Sequence, residues 1–147
     1  MSLIARAVMN NDSTEVARLI ENGAPLENTH MILAAANGCV SIIDILVANG
    51  LSVNVIGEHR DTPLILASMG NLPLTVQTLL KHGADFHHTN QYGRNAYWVA
   101  CDVQAAEVAN ILLSNGARSV PDSMGTYPRE FRRTPYTEAY KLSRRGF

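Results

Sequence analysis

Two cysteines and one tryptophan are all that the 147 residues hold of those types. Cys39 and Cys101 show no framework spacing, which excludes a disulfide-stapled scaffold and points to a reducing, intracellular (cytoplasmic) setting. Aromatic residues make up only 6% and charged residues 17%, yet hydrophobic content is 46%, so a disordered chain is excluded. No apolar run approaches a membrane span, and Met1 to Asn11 lacks the charged start and cleavage site of a signal peptide. No glycine-rich loop follows a strand, and no strand–helix alternation suggests a nucleotide site. No catalytic arrangement stands out, and no cofactor or small-molecule substrate is expected.

Charge is nearly balanced at −1, but unevenly spread. Residues 1–117 hold five Lys/Arg against ten Asp/Glu, whereas residues 118–147 hold seven against three. An acidic body therefore carries a basic tail, and the two can attract each other or bind separate partners.

What the chain does have is a repeat, clearest at residues 61–85. Thr62 is an N-cap residue followed by Pro63 in the first helical turn, and Gly70-Asn71 can stop that helix. Pro73 can start a second helix and Gly83 can end it. Neither helix is long enough to be stable alone, so the unit needs neighbours. Steps of 33 residues carry Thr62 to Thr29 and Asn95, Gly83 to Gly50 and Gly116, and Ala67 to Ala34 and Ala100. Leu79-Leu80 map in the same way to Leu46-Val47 and Leu112-Leu113. Upstream, Ala7, Leu19-Ile20 and Gly23 fill the same slots after a step of 27, so six residues are missing.

This period, with Thr-Pro-Leu near its start and Gly-Ala-Asp at Gly83 to Asp85, resembles the ankyrin-repeat family over residues 2 to about 118. The resemblance implies an all-α solenoid of helix-turn-helix units with short hairpin fingers. It implies one domain over 1–147, with repeats at about 2–28, 29–61, 62–94 and 95–120 and a connection and capping helix over 121–147. Helix pairs are predicted at about 29–36 and 40–48, 62–70 and 73–81, and 95–102 and 105–114, with strands short or absent.

Several departures from the pattern carry expectations. Glu15 and Arg18 stand where the second repeat carries Ile42 and Ile45, the fourth Val108 and Ile111 and the third Thr75 and Thr78, a graded contrast that fits the polar outer surface of a capping repeat. The first finger is cropped to a tight loop at Pro25 to Asn28. Arg60 stands where the family has glycine, and Gly57 could move that turn. Trp98, like Ile32 and Ile65, fills the family's histidine slot, so packing must replace a histidine network between repeats. Pro121 to Arg133 reads as a long connection to a last helix at Tyr136–Leu142; the alternative register puts Pro128 in the first turn of that helix.

By the same resemblance, finger tips and one face of each first helix form a concave protein-binding surface. The tip positions are Glu58, His59 and Asp61, then Gln91, Tyr92 and Arg94; the helix positions include Leu66, Met69, Val99 and Asp102. Leu66, Met69, Val99 and Tyr92 form an apolar centre rimmed by Glu58, Asp61, Arg94 and Asp102, an arrangement interfaces favour. Tyr92 and Arg94 are expected to be removable without harm to folding. The function expected is non-enzymatic binding of a partner protein. Rivals are a stoichiometric inhibitor or neutraliser of an enzyme or toxin, and a tail that binds nucleic acid or an acidic partner through Arg129, Arg132, Arg133, Lys141, Arg144 and Arg145 with interleaved aromatics. A small enzyme is the remaining rival. His87-His88 sit on a finger where alternate side chains diverge, so no metal is expected.

Overall fold

The structure is a computed structural model and describes residues 1–129. The expected last helix and the arginines from Arg132 onward lie outside the described residues. Among the described residues eight α-helices form four consecutive pairs: α1 (Leu3–Met9) with α2 (Ser13–Glu21), α3 (Asn28–Ala36) with α4 (Val40–Ala48), α5 (Pro63–Met69) with α6 (Pro73–Lys81), and α7 (Ala96–Asp102) with α8 (Ala106–Ser114). First helices stack in the order α1, α3, α5, α7, and second helices in the order α2, α4, α6, α8. No strand occurs among the described residues.

Four helix starts, those of α1, α2, α5 and α7, are capped by the side chain of the residue before them. Thr62 Oγ1 accepts the Ile65 N–H at 3.3 Å, and Asn95 Oδ1 accepts the Trp98 N–H at 2.8 Å. The second repeat differs, because its helix starts at Asn28 and its N-cap is Glu27 rather than Thr29. The alanine repeated at Ala7, Ala34, Ala67 and Ala100 marks the same turn in each repeat. Its carbonyl accepts an N–H from five residues on, at Asp12, Cys39, Leu72 and Ala105, over 2.8 to 3.1 Å. All four alanines are at most 3% exposed, so the helices approach closely there. The core is one continuous cluster along the stack, with Ile42, Ile43, Leu46, Leu64, Ile65, Leu79 and Leu112 at most 1% exposed. Truncating any of these leucines to alanine should cost about 3 kcal/mol.

Polar links join the repeats where the family histidine slot is apolar. His30, two residues before that slot, is buried and connects Ser2 to Glu27 across the first two repeats. Packing therefore does not act alone there: a histidine outside the family's slot links the first two repeats. Asp44 on α4 meets His82 beyond α6 at 2.7 Å. Asn54 donates to the Gly83 carbonyl at 3.1 Å and accepts the Asp85 N–H at 2.8 Å.

Three fingers project from the described stack. In the third repeat Asn90 N–H bonds Arg94 O at 3.0 Å, and Gly93, at φ 75°, bonds Asn90 O at 3.0 Å. Asn90 Oδ1 also accepts the Tyr92 and Arg94 N–H groups. The second finger keeps the turn in register at Gly57 to Asp61, with His59 and Arg60 both at positive φ, 56° and 61°. Gly57 therefore does not move the turn. It is small because a Cβ there would come within 2.8 Å of Ile32 Cδ1. A further finger spans Asp122 to Thr126, inside the stretch expected to be a connection. Asp122 N–H bonds Thr126 O and Gly125 N–H bonds Asp122 O, each at 2.9 Å. Asp122 Oδ1 accepts the Met124 and Thr126 N–H groups, as Asn90 does one finger earlier. Pro128 follows this finger as Pro63 follows Asp61, and is buried like it.

Candidate partner-binding face

The fingers are stitched edge to edge. Gln91 N–H donates to His59 O at 2.8 Å, and Ser123 N–H donates to Tyr92 O at 2.9 Å. Gln91 Nε2 meets His59 Nδ1 at 2.8 Å, and Ser123 Oγ donates to Tyr92 O at 2.9 Å. Such ties fix the tips on the stack beneath them. The residues third in each turn, His59, Tyr92 and Met124, then form a row of exposed side chains. Tyr92 is 48% exposed and Met124 86%. The His59 and Tyr92 rings lie 6.3 Å apart.

The ten residues singled out from the sequence separate into two groups. Glu58, His59, Met69, Gln91, Tyr92 and Asp102 are exposed, and Leu66 is half-buried. Val99 is buried in the core cluster and offers no side chain to a partner. Asp61 is buried too, and its Oδ1 accepts the Asn90 Nδ2 at 3.0 Å. That carboxylate anchors the next finger. Arg94 is half-buried and committed internally: its guanidinium lies 4.0 Å over Trp98, 5.7 Å from the Tyr92 ring and 3.5 Å from Asp122. Asp122 is held below the usual carboxylate range, chiefly by the Thr126 N–H, with help from the Met124 N–H and Arg94. Trp98 Nε1 closes the arrangement by donating to Thr126 O at 3.0 Å.

Sequence reasoning missed Asp122, Met124 and the role of Trp98. A signal existed: Gly125 follows Gly93 by 32 residues, one short of the period.

Other chemistries gain no geometric support. Cys39 is buried, and burial pushes its thiol up, away from the reactive thiolate. Cys101 is buried as well. His88 Nε2 bonds the Arg60 carbonyl at 2.9 Å, while His87 packs 4.5 Å from the Phe86 ring. Among the described residues no group of three or more His, Cys, Asp or Glu could hold a metal ion. No helix among them is long and apolar enough to cross a membrane.

Two curated relatives share part of the sequence. Ankyrin repeat and SOCS box protein 5 of Mus musculus is 34% identical over 84 residues, which is 57% of this chain and 25% of that protein. An ankyrin repeat protein of Acanthamoeba polyphaga mimivirus is 36% identical over 81 residues, 52% of this chain and 50% of that protein. The aligned part thus spans between a quarter and a half of the length of these relatives. The family model for ankyrin repeats, three copies, matches residues 4–90 and 53–123. With the helix pairs, stitched fingers and period already in place, the match settles the family: the chain belongs to the ankyrin-repeat proteins.

Proposed function

We propose that this chain is a non-enzymatic protein-binding module whose partner docks across the finger tips and the exposed turn-side residues of the first helices. Ankyrin repeats generally mediate protein–protein interaction, and the family is generally non-enzymatic. The observation that carries the reading is Tyr92, a large ring 48% exposed on a backbone tied to both neighbouring fingers. Aromatic anchors held rigid before binding lose little entropy on docking. His59 and Met124 stand at the equivalent tips on either side of it, Met69 is exposed near the end of a first helix, and exposed Glu58 and Asp102 carry charge. The proposal includes an intracellular setting, supported by two buried cysteines at different repeat positions.

Affinity capture from cells followed by mass spectrometry tests the proposal, with binding to the recovered partner then measured directly. Tyr92→Ala should weaken that partner by about 2 kcal/mol, the range of interface anchors. Leu74→Ala is the control, because Leu74 is 70% exposed but lies on a second helix. Equal binding by wild type and Tyr92→Ala, with loss in Leu74→Ala, would move the interface to the opposite side of the stack.

A further inference from the structure

Four Asn-Gly pairs occur in the chain, at 22–23, 37–38, 49–50 and 115–116. Three of them fill one slot, the C-cap of a second helix, with nearly the same backbone: φ −85° and ψ 11° at Asn22, −99° and 14° at Asn49, −90° and 0° at Asn115. The following glycine N–H is held alike, donating at 3.0 Å to Ile20, Val47 and Leu113 carbonyls. The side chains differ. Asn49 Nδ2 donates to Ile45 O and Asn115 Nδ2 to Ile111 O, each at 2.8 Å, and Asn37 Nδ2 donates likewise to Leu33 O at 2.8 Å. Asn22 is exposed and makes no side-chain hydrogen bond among the described residues. Its helix also lies at the end of the described stack, packed on α1 and α4.

We propose that Asn22 is a site of spontaneous covalent modification, converting to aspartate and isoaspartate ahead of the other three Asn-Gly pairs. The Gly23 backbone nitrogen gives its proton to solvent base and attacks Asn22 Cγ. The Cγ–Nδ2 bond breaks, ammonia leaves, and a five-membered succinimide forms. Water then opens the ring at either carbonyl, giving aspartate or the isomer whose backbone runs through the side chain. No oxidant or reductant is needed. A glycine puts no side chain beside the attacking nitrogen, and at Gly23, as at Gly50, no heavy atom lies within 4 Å of where a Cβ would stand; the Gly23 N–H must first leave the Ile20 carbonyl, a step the three C-cap sites share. The attack requires Cγ to swing toward the next nitrogen, which the clamps at Asn37, Asn49 and Asn115 resist. One such clamp should slow reaction by about fivefold, the weight of one net hydrogen bond. The product puts a carboxylate at the C-terminal end of α2, where the helix dipole is negative. It also disturbs the turn that closes with Ala24 N–H on Leu19 O at 3.0 Å.

The test incubates the full folded chain in mildly alkaline buffer and follows each site by peptide mass mapping with isoaspartate assignment. Asn22 should acidify at least about fivefold faster than Asn49, Asn115 or Asn37, and Asn22→Gln should remove that fastest phase. Equal rates at the four sites, a faster rate at Asn49 or Asn115, or no conversion at Asn22 while another site converts would overturn the proposal. As a second measurement, Asn22→Asp should speed amide exchange in α1 and α2 and leave α5 and α6 unchanged; unaltered exchange would refute the structural consequence.

Discussion

Replacing His30 by alanine should unfasten the first repeat from the second. His30 is 1% exposed at the start of α3. Its Nδ1 accepts the Glu27 N–H at 3.0 Å, so the ring proton belongs on Nε2, which donates to Ser2 Oγ at 3.0 Å. Ser2 Oγ in turn accepts the Ala5 N–H and caps α1. Two net hydrogen bonds at about 1 kcal/mol each, plus the space left by a buried ring, give a loss of about 3 kcal/mol. Burial lowers the His30 pKa, and Glu27 opposes that shift more weakly. Below the ordinary imidazole value of about 6.5 the unfolded chain therefore takes up a proton that the folded one resists. The contribution of His30 is full above that value and lost as pH falls below it. The gap in stability between wild type and His30→Ala should accordingly narrow from about pH 7.5 to about pH 5. Hydrogen exchange read along the helices is the assay, because solenoid repeats touch only their neighbours and the loss should concentrate in α1 and α2. Equal protection of α1 in the two proteins, or a gap that does not change with pH, would refute this reasoning.

Three further substitutions probe the fingers. Gly93→Ala should cost about 2 kcal/mol or more, because φ is 75° and the new Cβ would meet Ser123 N at 2.5 Å; denaturant titration and loss of protection at the Ser123 amide would show it. Arg60→Gly should stabilise by up to about 1 kcal/mol by relieving a left-handed arginine at φ 61°, read as a higher denaturation midpoint. Arg94→Lys should lose about 1 kcal/mol, since an ammonium cannot stack flat on Trp98; the sole tryptophan reports the change by fluorescence, and an unchanged spectrum and midpoint would show the stack is idle.

The helices were legible because the signals that build them are local. Thr62 caps as expected, and the expected helix pairs agree with α3 to α8 within about a residue at each end. The fingers were less legible because a hairpin turn can be built in two ways. Asn90 holds the turn by accepting two backbone N–H groups, and Asp122 repeats that device one residue out of period. Gly57 has no side chain to do so, and the second finger instead holds His59 and Arg60 at positive φ. A strict step of 33 residues found the first solution and passed over its copy at Asp122.

Which tip and turn positions are exposed was partly legible in the sequence, but not which of their groups are available. Position says where a side chain starts; only the contacts say whether its polar atoms are already used. Asp61 and Arg94 both looked like rim charges, yet one is consumed by Asn90 and the other by Trp98 and Asp122. Removing Tyr92 and Arg94 together would therefore mix two effects, loss of an exposed ring and release of the last described finger. Tyr92→Ala alone isolates the first. Arg94→Ala should expose Trp98 and loosen the Asp122 turn even in the absence of any partner. If Arg94→Ala leaves Trp98 fluorescence and Ser123 amide protection unchanged, the guanidinium is free to serve a partner after all, and the division between anchor and scaffold drawn at this face fails.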